Sequence, residues 1–278
     1  VFGYTDNTGA VKESGFDRFN FRANTTINLR DWLEIGENIG VRYQNDFGRQ
    51  ADGGEGSSIG QTMVMPRLSP VYDIQGNWAP VTKYLGFSSN RNEPSVIWRE
   101  SDYTRKYLSL DGNVYAKMIF LEDFTFNTTL GVYAGNGWNN SPSEANPWNY
   151  SGTTLDMLSV SASQARSWNW SNTLNYLKSI GEHTVEVLLG FEAASSRSES
   201  MAASREEYFL TTPEYFVLSA GEGTQRNSGG YSETASASYF GRFHYEFKNK
   251  YFFDGVVRHD GSSVFAENYR WGTFPSFA

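Results

Sequence analysis

From Arg18 to Arg30 polar and apolar residues take strict turns. Arg18, Asn20, Arg22, Asn24, Thr26, Asn28 and Arg30 hold the even positions, while Phe19, Phe21, Ala23, Ile27 and Leu29 hold all the odd ones except Thr25. A strand sends successive side chains to opposite faces, so this stretch reads as a β-strand with one wet and one apolar face. After a break at Asp31 and Trp32, Leu33, Ile35, Ile39, Val41, Tyr43 and Phe47 repeat the pattern. It returns in Leu108, Leu110, Val114, Ala116, Met118 and Phe120, then, past Glu122 and Asp123, in Phe124, Phe126, Leu130 and Val132. Trp168, Trp170, Leu174 and Tyr176 lead through a turn into Val185, Val187, Leu189 and Phe191. Tyr239, Phe243, Tyr245 and Phe247 precede a turn at 248–250, and Tyr251, Phe253 and Val257 follow it. The pattern predicts eight strands in four hairpins.

The connections are unequal. Turns within each pair are short, but the segments 48–102, 135–165 and 195–231 are read as long loops. Pro66, Pro70, Pro80, Pro94, Pro142, Pro147, Pro213 and Pro275 are all expected outside strands, as a fully paired ladder requires. Loops beyond about 12–15 residues are uncommon in ordinary domains. Short turns at one end and long loops at the other belong to outer-membrane barrels. A soluble antiparallel sandwich also alternates, but strands of about 10 to 16 residues exceed the usual globular length. Trp32, Phe124, Tyr176, Phe247 and Tyr251 gather near strand ends, as an interfacial girdle would. The fold class expected is therefore all-β, an antiparallel transmembrane β-barrel segment. Glu37 interrupts the apolar face of its strand, and a bulge turning it inward would remove the conflict.

Composition narrows the function. The 278 residues include 20 Phe, 17 Tyr and 8 Trp, a larger aromatic share than Leu-, Ile- and Val-based cores carry. A net charge of −8 argues against a nucleic-acid partner bound through a broad basic surface. No run of 18 apolar residues exists for a membrane helix, a test to which barrel strands are blind. The chain has no cysteine, which removes disulfides and thiolate chemistry. Starting at Val1 and stopping at Ala278, it reads as a fragment.

Tyr239-Phe240-Gly241-Arg242, Lys250-Tyr251, the run Val257 to Ser263 (Val-Arg-His-Asp-Gly-Ser-Ser) and the run Arg270 to Ala278 (Arg-Trp-Gly-Thr-Phe-Pro-Ser-Phe-Ala) together resemble the SusC/RagA family of TonB-linked outer-membrane transporters. Ser14 to Arg22, Asp31 to Leu33, and Pro70 to Asn77 resemble further parts of that family. His259 and Val264 depart from it, standing where arginine is common. The resemblance implies a 22-stranded barrel around a plug, with residues 1–278 forming part of its wall. Signal peptide, plug, TonB-binding segment and closing strands are then missing from the sequence. It also implies localisation in the cell outer membrane, import of glycan or peptide, and two protein partners, a SusD-like surface lipoprotein and the TonB complex.

No catalytic set emerges, and no cofactor or metal is expected. His183, His244 and His259 are scattered, Ser262 and Ser263 lack a nucleophile-elbow context, and Glu206 and Glu207 are adjacent loop residues. The stretch 135–150 is the most suggestive of ligand contact. In it Trp138, Asn139, Trp148 and Tyr150 combine apolar ring faces with amides, the pairing that sugar recognition uses. Packing of the loop on its neighbours is the plainer role for these rings. Trp78 is a weaker candidate of the same type. The alternative class is a secreted soluble β-sandwich that binds carbohydrate through Trp138 and Trp148.

Overall fold

A computed structural model describes residues 1–9, 14–48, 72, 74–76, 103–143, 145 and 155–278. They form one antiparallel sheet of ten strands in which every strand pairs with its sequence neighbours. The strands are β1 (Phe2–Thr8), β2 (Gly15–Arg30), β3 (Leu33–Phe47), β4 (Thr104–Phe120), β5 (Phe124–Ser143), β6 (Met157–Ile180), β7 (His183–Glu206), β8 (Gln225–Phe247), β9 (Tyr251–Ser262) and β10 (Trp271–Phe277). All eight expected strands are present, and β1 and β10 are additional. Each was passed over because its seven residues are too few to display a period.

The expected facing holds on every strand. Thr25 pairs with Glu37 and Ile27 with Ile35. Val41 then pairs with Leu110, Leu110 with Ala134, and Val132 with Trp168. Leu174 meets Leu189, Val187 meets Phe243, and Tyr245 meets Phe253. One continuous apolar face results. Much of it is open: Phe21, Ile27, Leu110, Leu130, Trp168, Leu189, Phe243 and Val257 are all exposed. Buried hydrophobics number only three among the described residues, Leu158, Tyr208 and Phe216. A sandwich would cover such a face with a second sheet, whereas the described residues form a single sheet. The described residues therefore do not favour the soluble sandwich. No helix of the described residues is long and apolar enough to cross a membrane.

Three expectations need correction. The long strands absorb most of the supposed loops: β5 runs 20 residues, β6 and β7 run 24 each, and β8 runs 23. Residues 135–143 are therefore strand, and so are 157–165, 195–206 and 225–231. Gly135 explains how a Gly-Asn-Gly stretch stays in the ladder. A Cβ there would lie 2.6 Å from the Tyr133 hydroxyl and 2.9 Å from that of Tyr107, so tyrosines lie over the bare backbone. Second, Pro142 and Pro275 are in strands after all, Pro142 next to the end of β5 and Pro275 on the edge strand β10, positions that tolerate a missing N–H. Third, no bulge turns Glu37 inward. The β2–β3 register shifts only between Asn28 and Arg30, and the β3–β4 register runs unbroken through Glu37. Glu37 shares the outward face with Ile35 and Ile39, where Thr25 Oγ1 donates to its carboxylate at 3.3 Å. Most of the expected loop 48–102 lies outside the described residues.

Candidate functional site

Counting from the short turns gives the sheet a vertical scale. The outward apolar run extends from Leu29 up to Phe19 on β2 and from Leu33 up to Tyr43 on β3. On β5 it extends from Phe124 to Ala134. Each run covers about eleven residues, the length of a tilted strand crossing a membrane. Above it the outward face turns polar, with Asn45, Lys106, Asn136 and Arg166 as the next positions on four strands. Strands β6 to β8 continue well past that limit, so about half of each stands beyond the apolar belt.

On the opposite face, at the far end of the sheet, lies a concavity of about 600 Å³. Tyr103, Asn139, Ser161, Ser204 and Arg226 line it, along with other serines of β5, β6 and β8. The Tyr103 hydroxyl donates to Asn139 Oδ1 at 3.4 Å, and Asn139 Nδ2 donates to Ser161 Oγ at 2.9 Å. Arg226 pairs with Glu206 at 3.1 Å. Burial pushes the Tyr103 phenol above its ordinary pKa. The concavity thus offers hydroxyls, an amide and one guanidinium on small side chains that leave room for an occupant. This chemistry suits a neutral polar ligand with many donors and acceptors.

Lower on the same face the wall is more ionic. Arg242 and His244 meet Asp254 at 2.8 and 3.0 Å, and Arg258 joins Glu192 at 2.9 Å and Asp260 at 2.7 Å. A second concavity, about 510 Å³, is lined by Arg22, Asn24, Asn38, Asp111, Asn113 and other polar residues. Phe240 lies over Gly190, where an added Cβ would come within 2.1 Å of its ring, so bulky inward residues hug the backbone. Among the described residues no histidine and carboxylate cluster has metal-site geometry.

The expected ligand residues divide. Trp138 and Asn139 are consecutive on β5 and point to opposite faces: Trp138 pairs outward with Lys106 and Ala162, and Asn139 faces the concavity. The two therefore do not form one site. Trp148, Tyr150 and Trp78 lie outside the described residues. Tyr103, Ser161 and Arg226 were missed. For Ser161 the signal was the alternation of Ser159, Ser161 and Ser163 with Leu158, Val160 and Ala162, a strand pattern inside the expected loop 135–165.

No family model matches the chain. It is 28% identical over 304 aligned residues to the TonB-dependent receptor SusC of Bacteroides thetaiotaomicron, covering 99% of this chain and 28% of that protein. It is 26% identical over 296 residues to the TonB-dependent receptor P3 of Formosa agariphila, again over 99% of this chain and 28% of the relative. The chain thus spans less than a third of the length of these relatives. Among solved structures, the RagAB peptide importer in its open-open state superposes with a TM-score of 0.76 at 25% identity, over 99% of this chain and 31% of that one. The ferric preacinetobactin receptor BauA of Acinetobacter baumannii shares the fold alone, at 10% identity and a TM-score of 0.55 over 99% of this chain and 39% of its own. Strand facing, belt length and relatives agree: over nearly its whole length the chain is similar to TonB-dependent receptors of the SusC/RagA type, and its sheet matches a stretch of their outer-membrane barrel wall.

Proposed function

We propose that the chain serves a TonB-dependent nutrient importer, as wall and extracellular mouth. The observation that carries this reading is a sheet apolar outward for about eleven residues per strand, polar inward, and prolonged past the belt around a hydroxyl-lined concavity. In the intact receptor the free edges of β1 and β10 pair with further wall, and the ionic inner face of β7 to β9 meets a plug. Substrate, a glycan or a peptide, enters past Asn139, Ser161 and Arg226 under a SusD-like surface lipoprotein. Energy arrives through the TonB complex. RagAB is a peptide importer, which favours peptide within this pair.

The test is energised uptake by cells carrying the intact receptor, supplied with labelled oligosaccharide or peptide mixtures. Uptake of one class is expected, abolished in a strain without TonB and cut at least severalfold by Asn139→Trp, which fills the concavity without touching the outward belt. Uptake of neither class, or TonB-independent uptake, would overturn the proposal.

A further inference from the structure

Trp138, on the face opposite Asn139, belongs to a different constellation. Lys106 stands fourteen positions from Phe120, Trp138 fourteen from Phe124, and Arg166 fourteen from Ile180, each counted from the strand end at a short turn. All three are on the outward face and exposed. At roughly 3.3 Å per residue and about 45° of tilt, that count puts them about 33 Å above the turns. The apolar band is about 25 Å tall. They therefore stand at the headgroup layer of the outer leaflet, just above the lipid-facing Trp168.

Between Lys106 and Arg166 lies an amide pair on the same face, Gln164 Nε2 donating to Asn136 Oδ1 at 2.9 Å. Neither cation has an ion-pair partner among the described residues. Arg166 also sits directly opposite Arg197 across β6 and β7. Like charges so placed repel, and although Arg197 is neutralised by Glu199, Arg166 is not. The site wants an anion. A row of cation, indole, amide pair and cation at headgroup height matches one occupant, a phosphorylated glycolipid: phosphate for Lys106 and Arg166, sugar faces and hydroxyls for Trp138 and the amides. We propose that this outward patch binds the phosphorylated sugar headgroup of an outer-leaflet glycolipid. The inference rests on the outer-membrane placement.

The intact receptor in detergent, titrated with lipid A or its dephosphorylated form and read by native mass spectrometry, tests it. The wild type is expected to retain lipid A and to lose about thirtyfold in affinity in the Lys106→Gln, Arg166→Gln double variant. Trp138→Ala should weaken binding to a smaller degree. Undiminished binding by the double variant would overturn the proposal. Should that variant fail to fold, the wild type decides alone, since equal affinity for lipid A and its dephosphorylated form is equally fatal. Heat-shifted gel mobility of the wild type reports separately on the barrel itself, so a failed membrane reading is distinguishable from a failed site.

Discussion

An outward carboxylate at Glu37 lies four positions above Leu33, near the middle of the apolar belt. Its only side-chain partner among the described residues is the Thr25 hydroxyl, less than an ion needs when water is absent. Acidic residues at this depth cost less than the roughly 2–4 kcal/mol of a mid-bilayer basic residue. Glu37→Leu is therefore expected to stabilise the intact receptor by about 1 kcal/mol, measured by urea unfolding in liposomes. Glu34→Leu, on the inward face opposite Asn28, should give no gain. The alternation of β3 made the anomaly at Glu37 plain in the sequence. Its resolution was not legible, because a bulge depends on pairing with β2 and β4 rather than on β3 itself.

At the scale of the element, the hairpin turns carry a different conflict. Leu121 and Glu122 have φ of 51° and 61°, and Lys248 and Asn249 have φ of 56° and 50°. Residues with a Cβ pay about 1–2 kcal/mol for the left-handed region, Asn less than most. The Lys248–Asn249 turn closes with Lys250 N–H donating to the Phe247 carbonyl at 3.1 Å, and it has Asn in one of its left-handed positions. The Leu121–Glu122 turn lacks both Gly and Asn. Glu122→Gly should accordingly stabilise the β4–β5 hairpin by about 1 kcal/mol, seen as a higher urea midpoint, while Asn249→Gly should change it by less. The membrane halves of the strands were legible because lipid demands alternation. The upper halves of β7 and β8 were not: on β7 Ser196, Ser198 and Ser200 face inward while Arg197 and Glu199 face outward, a pattern without apolar contrast. Hydrogen bonding to neighbouring strands, not burial, holds those residues in the ladder.

For the whole molecule, the vertical scale set by the turns makes both facing and depth measurable. Val114 stands six positions from Phe120 and Leu110 ten, both on the outward face. Val114 is thus near the middle of the belt and Leu110 near its upper rim. A buried arginine costs about 2–4 kcal/mol at the midplane and about 0–1 kcal/mol near the interface. Asn24 faces the opposite way, pairing with Asn38 on the polar side and lining the 510 Å³ concavity. Folded, membrane-inserted receptor should therefore fall steeply for Val114→Arg, modestly for Leu110→Arg and not at all for Asn24→Arg. Heat-modifiable mobility of outer-membrane fractions reads the series. Equal losses at Val114 and Leu110 would mean that the belt extends higher than eleven residues and that Lys106, Trp138 and Arg166 are not at the headgroup layer. Loss at Asn24 equal to that at Val114 would reverse the faces of the sheet, and with them the assignment of the hydroxyl-lined concavity to the lumen.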